Sequence, residues 1–562
     1  MLPTRRFLSW DPKFTKRDPV LSKLLYNIEN QKFDSLPGYT RIDIFLGQRV
    51  HTLMPEQYSY NALREFLERS EEDIPKLEGT IPISGMSADA QTTILLDERR
   101  DPSPLNNLSS RYWAEYTQHP PGGEAIHLEA LNAKALYDTL ASERLNLGVS
   151  SPERRSIYIR DLSPICALAL ILPVAVRYAP SLREFLFKYV TGRAFFGVKI
   201  GYPISPASTY TFEFHIPYFA LRRSPAGAPS RSNHVARRKG EFQANFSDYR
   251  DNQKEFFHEA QISVLLVGID EWVWTLYCLV ETHFCENGPG DIIQYISSDR
   301  DAASGQGSSY SVPIWNPREY FLLVLSRRMS EVRFEWANLV QTLDRRFRKL
   351  EEDIFGGPPT APKSGEDDDL FTTNNYTWAI QVLQLFSNQL IKTLEAWDEF
   401  SDKHLHIFHP DETPAAFLPK LSSHLESLDT DISELRFMYQ TISRQIIAFE
   451  SKRSNTLNTS ALVEARASNA QADNIGLLTK VTVFYLPLGL TTAGFSVAFI
   501  PSDLDWRIYI GSLVGFTLLS VMISFNLAWL KRSPESSHTT NPLVMLSKIL
   551  PTHATKPPSS TV

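Results

Sequence analysis

Cysteine is scarce in this chain: Cys166, Cys278 and Cys285 are the only three in 562 residues. Three thiols exclude a disulfide framework, and the step from Cys278 to Cys285 is not a metal-ligand pair spacing. Reduced thiols in a cytosolic body are the expectation. No apolar core follows Arg5 and Arg6, so no secretory leader is expected at the N-terminus. An excess of positive charge is also missing: 57 Lys and Arg stand against 64 Asp and Glu, a formal net charge of -7. That balance excludes the basic footprint of a general nucleic-acid binder, so no nucleic acid is expected as a partner. Catalytic signatures are absent too. His258-Glu259 opens like a zinc-protease motif, but Ile262 stands where the second histidine is required. Gly305-Gln-Gly307 lacks the Gly-Lys-Ser/Thr of a phosphate cradle. Glu71-Glu-Asp73 reads as a solvated charge run. With no nucleophile–base constellation, no catalytic residue, no enzyme and no resident cofactor are expected.

Long uncharged runs are missing until Leu477, after which there are two: Val481–Ile500 and Ile508–Leu530. Each has the ~20 residues a helix needs to cross a ~30 Å hydrocarbon core, and the turn Pro501–Arg507 is too short for a domain. The sequence therefore predicts a transmembrane hairpin over 475–532, with spans at 477–500 and 508–530. Trp506, Tyr509 and Trp529 stand where interfacial rings settle. Lys480, Lys531 and Arg532 lie on the side of both termini, and Arg507 sits with two aspartates on the other. The positive-inside bias predicts a multi-pass membrane protein with both termini cytoplasmic and membrane lipids as partners. The sequons at Asn107, Asn245, Asn375 and Asn458 would then face the cytosol unused.

Ahead of the hairpin the chain divides by texture. Residues 1–150 are mixed, with a strand expected at Arg41–Leu46 and a short helix at Tyr60–Leu67. Residues 151–312 read as an α/β cytosolic domain. Ser156–Arg160, Phe195–Ile200 and Thr209–Ile216 are rich in β-branched and aromatic residues, the mark of strands. Ile165–Val176 is apolar but too short to span a bilayer, and Glu259–Phe284 is interrupted by Asp270, Glu271 and Glu281; both read as core. Arg222–Lys239 holds six cations and no acid among Pro, Ser, Gly and Ala. It is either a solvated loop or a contact for anionic headgroups or a phosphorylated partner.

From residue 313 the text is helical. Asn316-Pro317-Arg318-Glu319 combines a capping residue, a proline at the first helical position and an early glutamate. Phe321, Leu325, Met329, Val332, Trp336, Leu339, Leu343, Phe347 and Leu350 then follow at spacings of three and four, one apolar stripe on a long helix over 313–355. Residues 356–370 form an acidic, breaker-rich linker, with Gly356-Gly-Pro-Pro and Glu366-Asp-Asp-Asp369. A helical stalk over 371–474 follows. Its first helix carries Leu383, Phe386, Leu390, Leu394 and Trp397 on one side. Its second begins near Pro419 with a heptad seam from Leu421 to Phe449. No proline or glycine interrupts Lys420–Asn474, so that helix is expected to run into the first span, and its stripes need partners from one another or from other subunits. Residues 533–562 are expected to form a disordered tail. The fold class is thus an α/β cytosolic domain, a long helical stalk and a two-helix transmembrane hairpin, mainly α overall.

Two smaller readings concern ions and packing. His404, His406 and His409, with Asp411 and Glu412, suit either a divalent ion or a polar helix end. Thr482, Leu486, Gly489, Ala493 and Val497 fall on one helical face, which would line a narrow pore in an oligomer or simply pack against a helix. Gly511-Ser-Leu-Val-Gly515 is a small-xxx-small pattern suited to close helix approach.

Leu478-Thr479, Phe484-Tyr-Leu-Pro-Leu488 and the acidic turn with Pro501, Asp503 and Trp506 resemble the first-span signature of the CorA family of magnesium transporters. The segments 161–222, 256–284 and 313–340 resemble the cytosolic part of its divergent eukaryotic members. The resemblance implies a homopentamer whose first span lines the pore through Ile475, Leu478, Leu486 and Gly489, carrying a divalent cation such as magnesium. The family's Gly-Met-Asn motif is replaced by Ser496-Val497-Ala498, so the amide that meets the hydrated ion is gone, although Asp503 and Asp505 keep carboxylates in the turn. Two functions are therefore expected: an oligomeric divalent-cation channel, or a non-conducting interaction or regulatory protein that keeps the CorA-like scaffold.

Overall fold

The computed structural model describes residues 10–15, 31–32, 38–47, 60–79, 94–99, 129–144, 153–201, 209–225, 241–243, 253–282, 301–305, 314–355, 366–408, 418–496 and 506–531. Two compact units divide the chain at Lys452/Arg453.

The first unit is built on one mixed sheet of eight strands. They are β1 (Ile94–Arg99), β2 (Glu129–Leu131), β3 (Arg154–Arg160), β4 (Phe195–Ile200), β5 (Tyr210–Pro225), β6 (Glu241–Gln243), β7 (Gln253–Gly268) and β8 (Trp274–Val280). Their order is β2-β1-β3-β8-β7-β5-β4, with β6 also paired to β7. Among the described residues only β3 and β8 run parallel, and every other pairing is antiparallel. Because side chains alternate across a strand, each strand feeds two cores. Ile94, Leu96, Ile157, Ile159, Leu265 and Leu279 face one core, and Leu95, Tyr158, Phe212, Val264, Leu276 and Cys278 the other.

The first core is closed by short helices. These are α1 (Gly38–Phe45), α2 (Asn61–Glu68), α3 (Ile74–Leu77), α4 (Ala133–Ala141), α5 (Pro164–Ile171) and α6 (Ala179–Thr191). Every residue of α5 is buried, as a short apolar segment with a serine cap should be: the Ser163 hydroxyl accepts from the Cys166 amide at 3.4 Å. The strand expected at Arg41–Leu46 is instead the body of α1. Ile42, Phe45 and Leu46 are buried at positions i, i+3 and i+4, a spacing that satisfies a helix better than the alternation that suggested a strand.

The opposite core is closed by α7 (Pro317–Phe355), α8 (Glu366–His404) and the first part of α9 (Leu418–Ser496). Asn316 caps α7 as its sequence suggests, its side-chain oxygen accepting from the amides of Arg318 at 3.0 Å and Glu319 at 3.3 Å. Asn316→Ala should lower stability by about 1 kcal/mol, read by chemical denaturation. The stripe from Phe321 to Phe347 is buried. Polar pairs set the register of α7 against α9: Ser330 with Asp431 at 2.5 Å, Arg333 with Glu434 at 2.7 Å and Gln445 with Asp344 at 3.2 Å. Each pair is 101 residues apart, so the two helices run parallel. Helix α8 runs against them, since Asp398 meets Arg436 while Tyr376 stacks on Phe449 further along. Glu366-Asp-Asp-Asp369, expected in a linker, forms the first turn of α8.

The second unit holds the rest of α9 and α10 (Trp506–Lys531), where the Ser520 hydroxyl of α10 donates to the Val483 carbonyl of α9 at 2.8 Å. The transmembrane hairpin expected over 475–532 is corrected here: among the described residues no helix is long and apolar enough to cross a membrane. The described part of α9 reaches Ser496, and Thr479, Lys480, Thr482 and Gly489 stand in its last described turns. Helix α10 carries Arg507, Ser512, Thr517 and Ser520. Among the described residues the fold is therefore mixed α/β around a single sheet with long helices, and without spans the multi-pass membrane placement with both termini cytoplasmic has no support.

Candidate functional site

A hydrogen-bonded group of buried polar side chains lies between α6 and the sheet. Strand alternation builds it. Glu213 and His215 are two apart on β5, Gln261 and Ser263 two apart on β7, and His215 pairs directly with Ser263 across the ladder. One turn of α6 lowers Phe185 and Lys188 onto them. Lys188 Nζ donates to both oxygens of Glu213 at 2.8 Å. His215 lies 2.9 Å from Glu213 through Nε2 and 2.7 Å from the Ser263 hydroxyl through Nδ1. Gln261 Nε2 reaches both His215 Nδ1 at 3.2 Å and Ser263 Oγ at 2.8 Å. Two donors converging on Nδ1 make it the acceptor and leave the Nε2 proton to Glu213. The Phe185 ring lies 5.0 Å from the imidazole and closes the site.

Electrostatics hold this group together. Burial raises the Glu213 carboxyl, but the His215 ring and the Lys188 ammonium outweigh that and keep it below the usual carboxylate range. Burial lowers the Lys188 ammonium against the attraction of Glu213. A serine, a histidine and a glutamate in line have the connectivity of a hydrolytic triad. Their burial gives them a different role: His215, Gln261 and Ser263 are 0% exposed and Glu213 3%. A nucleophile must approach a substrate atom to within about 3 Å, and Ser263 faces only protein. The group fixes α6 on the sheet. No local pattern shows it, because its residues are some 50 positions apart; the trace it leaves is the Glu-x-His and Gln-x-Ser spacing on two strands.

The expected pore residues fall elsewhere. Ile475, Leu478, Thr482, Leu486, Gly489, Ala493 and Ser496 are all exposed on the distal part of α9. Val497, Ala498, Asp503 and Asp505 lie outside the described residues, as do 226–240, most of the basic stretch, and the tail 533–562. Ile475, Leu478 and Leu486 are 56%, 67% and 64% exposed. Every described large apolar side chain of α9 from Leu457 to Leu490 is more than a third exposed, as are those of α10 from Ile508 to Met522 except Leu513. A side chain added at Gly489, Gly511 or Gly515 would meet nothing within 4 Å, so the small-residue face of α10 is open too.

His404 ends α8 and His406 sits in the following 3-10 turn, while His409, Asp411 and Glu412 lie outside the described residues. No group of three metal-binding side chains occurs among the described residues. Cys166 and Cys278 are buried thiols, and burial pushes Cys278 up to about 12, out of reach of nucleophilic chemistry; Cys285 lies outside the described residues. No protein-family model and no curated protein matches this chain.

Proposed function

We propose that this chain is an interaction protein that assembles with copies of itself through the distal part of α9 and through α10, and that it acts by association rather than by catalysis. One observation carries the reading: the large apolar side chains of the second unit stand exposed along two helices. A contiguous apolar surface of this kind marks an interaction site in a folded protein. The resemblance to the CorA plan supports a homo-oligomer, in which the α9 face of Leu478 and Leu486 meets its counterpart. The open faces of Gly511 and Gly515 would let helices approach closely. Cation conduction would need two membrane spans, which the described helices do not supply.

The test is the particle mass of the full chain, whose single copy weighs 64.0 kDa. Light scattering at micromolar concentration should give a defined multiple of that mass. Leu478→Glu combined with Leu486→Glu places two charges on the open face and should return the particle to one copy with unchanged far-ultraviolet circular dichroism. A wild-type monomer at tens of micromolar would sink the proposal.

A further inference from the structure

The geometry points to a binding site for a phosphate-class oxyanion on the helix-lined side of the sheet that carries α4 and α5, formed by Lys32, Arg144 and Arg155. These three cations line one cavity of about 40 Å³ with Tyr178, Thr275 and Tyr277, and the end of α5 supplies its apolar wall. The site is independent of the self-assembly proposed above.

Each cation is held in place. Lys32 Nζ donates to the carbonyls of Leu140, Ala141 and Ser142 at 2.7, 2.8 and 2.8 Å, which anchors it on the C-terminal end of α4 and spends its three donors, so it acts on a ligand through its charge. Arg144 donates through Nη1 to the Thr275 hydroxyl at 2.7 Å and through Nη2 to the Trp274 carbonyl at 2.8 Å and to that of Glu153. Arg155, on β3, is 7% exposed and faces Glu98 across the ladder from β1. Its Nε and Nη2 engage the Glu98 carboxylate at 2.6 and 2.5 Å, and Nη1 lies outside that pair. A guanidinium fixed by its own ion pair, with one edge turned away from it, is arranged to meet an anion at little entropic cost.

Size and charge narrow the ligand. A water occupies roughly 10–15 Å³ on this measure, so the cavity holds about three waters, the space of one tetrahedral oxyanion. Burial lowers the Arg155 guanidinium first, and the Arg144 charge is its next largest influence, ahead of the attraction to Glu98. The like charges repel one another across the cavity, and a bound dianion relieves that repulsion.

The experiment titrates the full chain with inorganic phosphate and with glycerol 3-phosphate, against chloride at equal ionic strength. Calorimetry and thermal unfolding are the readouts. Either phosphate probe at ten times its dissociation constant should raise the unfolding midpoint by about 2 °C beyond chloride. A response to inorganic phosphate alone assigns the free ion, and a response to both assigns the phosphoryl group of a small ester. Arg155→Lys keeps a cation for Glu98 but removes the open fork, and should weaken binding about tenfold. Glu98→Gln removes the competing carboxylate and should tighten binding several-fold, a gain that misfolding cannot imitate. The proposal is overturned if phosphate acts no differently from chloride, or if Arg155→Lys binds as tightly as the wild type.

Discussion

Replacing Glu213 with alanine should cost about 3–5 kcal/mol of stability, the loss expected when one partner of a buried ion pair is removed. The magnitude follows from what remains behind. Lys188 and His215 are 7% and 0% exposed, and both direct a donor at Glu213. Without the carboxylate, Lys188 must shed its proton or drag water under α6. The paired change Lys188→Met with Glu213→Leu removes both charges and should recover all but about 1–2 kcal/mol, since buried ion pairs are often replaceable by apolar residues of similar size. Urea denaturation of the three proteins gives the comparison directly. If Glu213→Ala loses under 1 kcal/mol, the buried group does not fasten α6. The acid side carries its own signature. Because Glu213 titrates below its unfolded value, its contribution is present above the unfolded pKa and is lost as pH falls through the lower folded pKa.

Glu271 should impose the opposite dependence. Burial raises its carboxyl to about 7, against the pull of Arg318 and with Asp270 adding to the rise. Around it, Asn316 Nδ2 donates to Oε1 at 3.2 Å, Arg318 lies 3.7 Å away, and its own amide donates to the Phe14 carbonyl at 3.1 Å. The protonated form is favoured in the folded state, so the stability it brings is complete below the unfolded value of 4.5 and is lost as pH rises through about 7. The span corresponds to roughly 3 kcal/mol. Glu271→Gln keeps an acceptor for Asn316 and cannot ionise. Denaturation midpoints measured from pH 5 to pH 8.5 should fall for the wild type and stay nearly level for the variant. Parallel curves for the two proteins would show that Glu271 is not the titrating group.

Both predictions concern residues whose importance no local pattern announces. Glu213, His215, Gln261 and Ser263 look like ordinary strand residues until β5 and β7 are paired in register. Glu271 is one of three acids that interrupt an apolar stretch, and only its seat between the start of α7 and the 3-10 turn at Pro12–Thr15 singles it out. Local patterns served well where the physics is local. The stripe from Phe321 to Phe347, the cap at Asn316 and the strand Phe195–Ile200 depend on neighbours one to four residues away, and each stands where the pattern places it. At Arg41–Leu46 two local patterns competed, and tertiary contact chose the helix.

The sequence by itself determined where the chain turns helical, which faces of α7, α8 and α9 are apolar, and that few thiols and little net charge are available for chemistry. Those properties rest on composition and on periodicities of 2 and 3.6, which are legible without folding. Tertiary structure alone decided that β3 lies parallel to β8, more than a hundred residues onward, and that a lysine, a glutamate, a histidine and a serine share one buried chain. It also gathered three cations around one cavity and left the apolar side chains of the second unit open. Pairing across long loops is set by the competition of many weak contacts for the same buried surface, and no short stretch of sequence contains that competition.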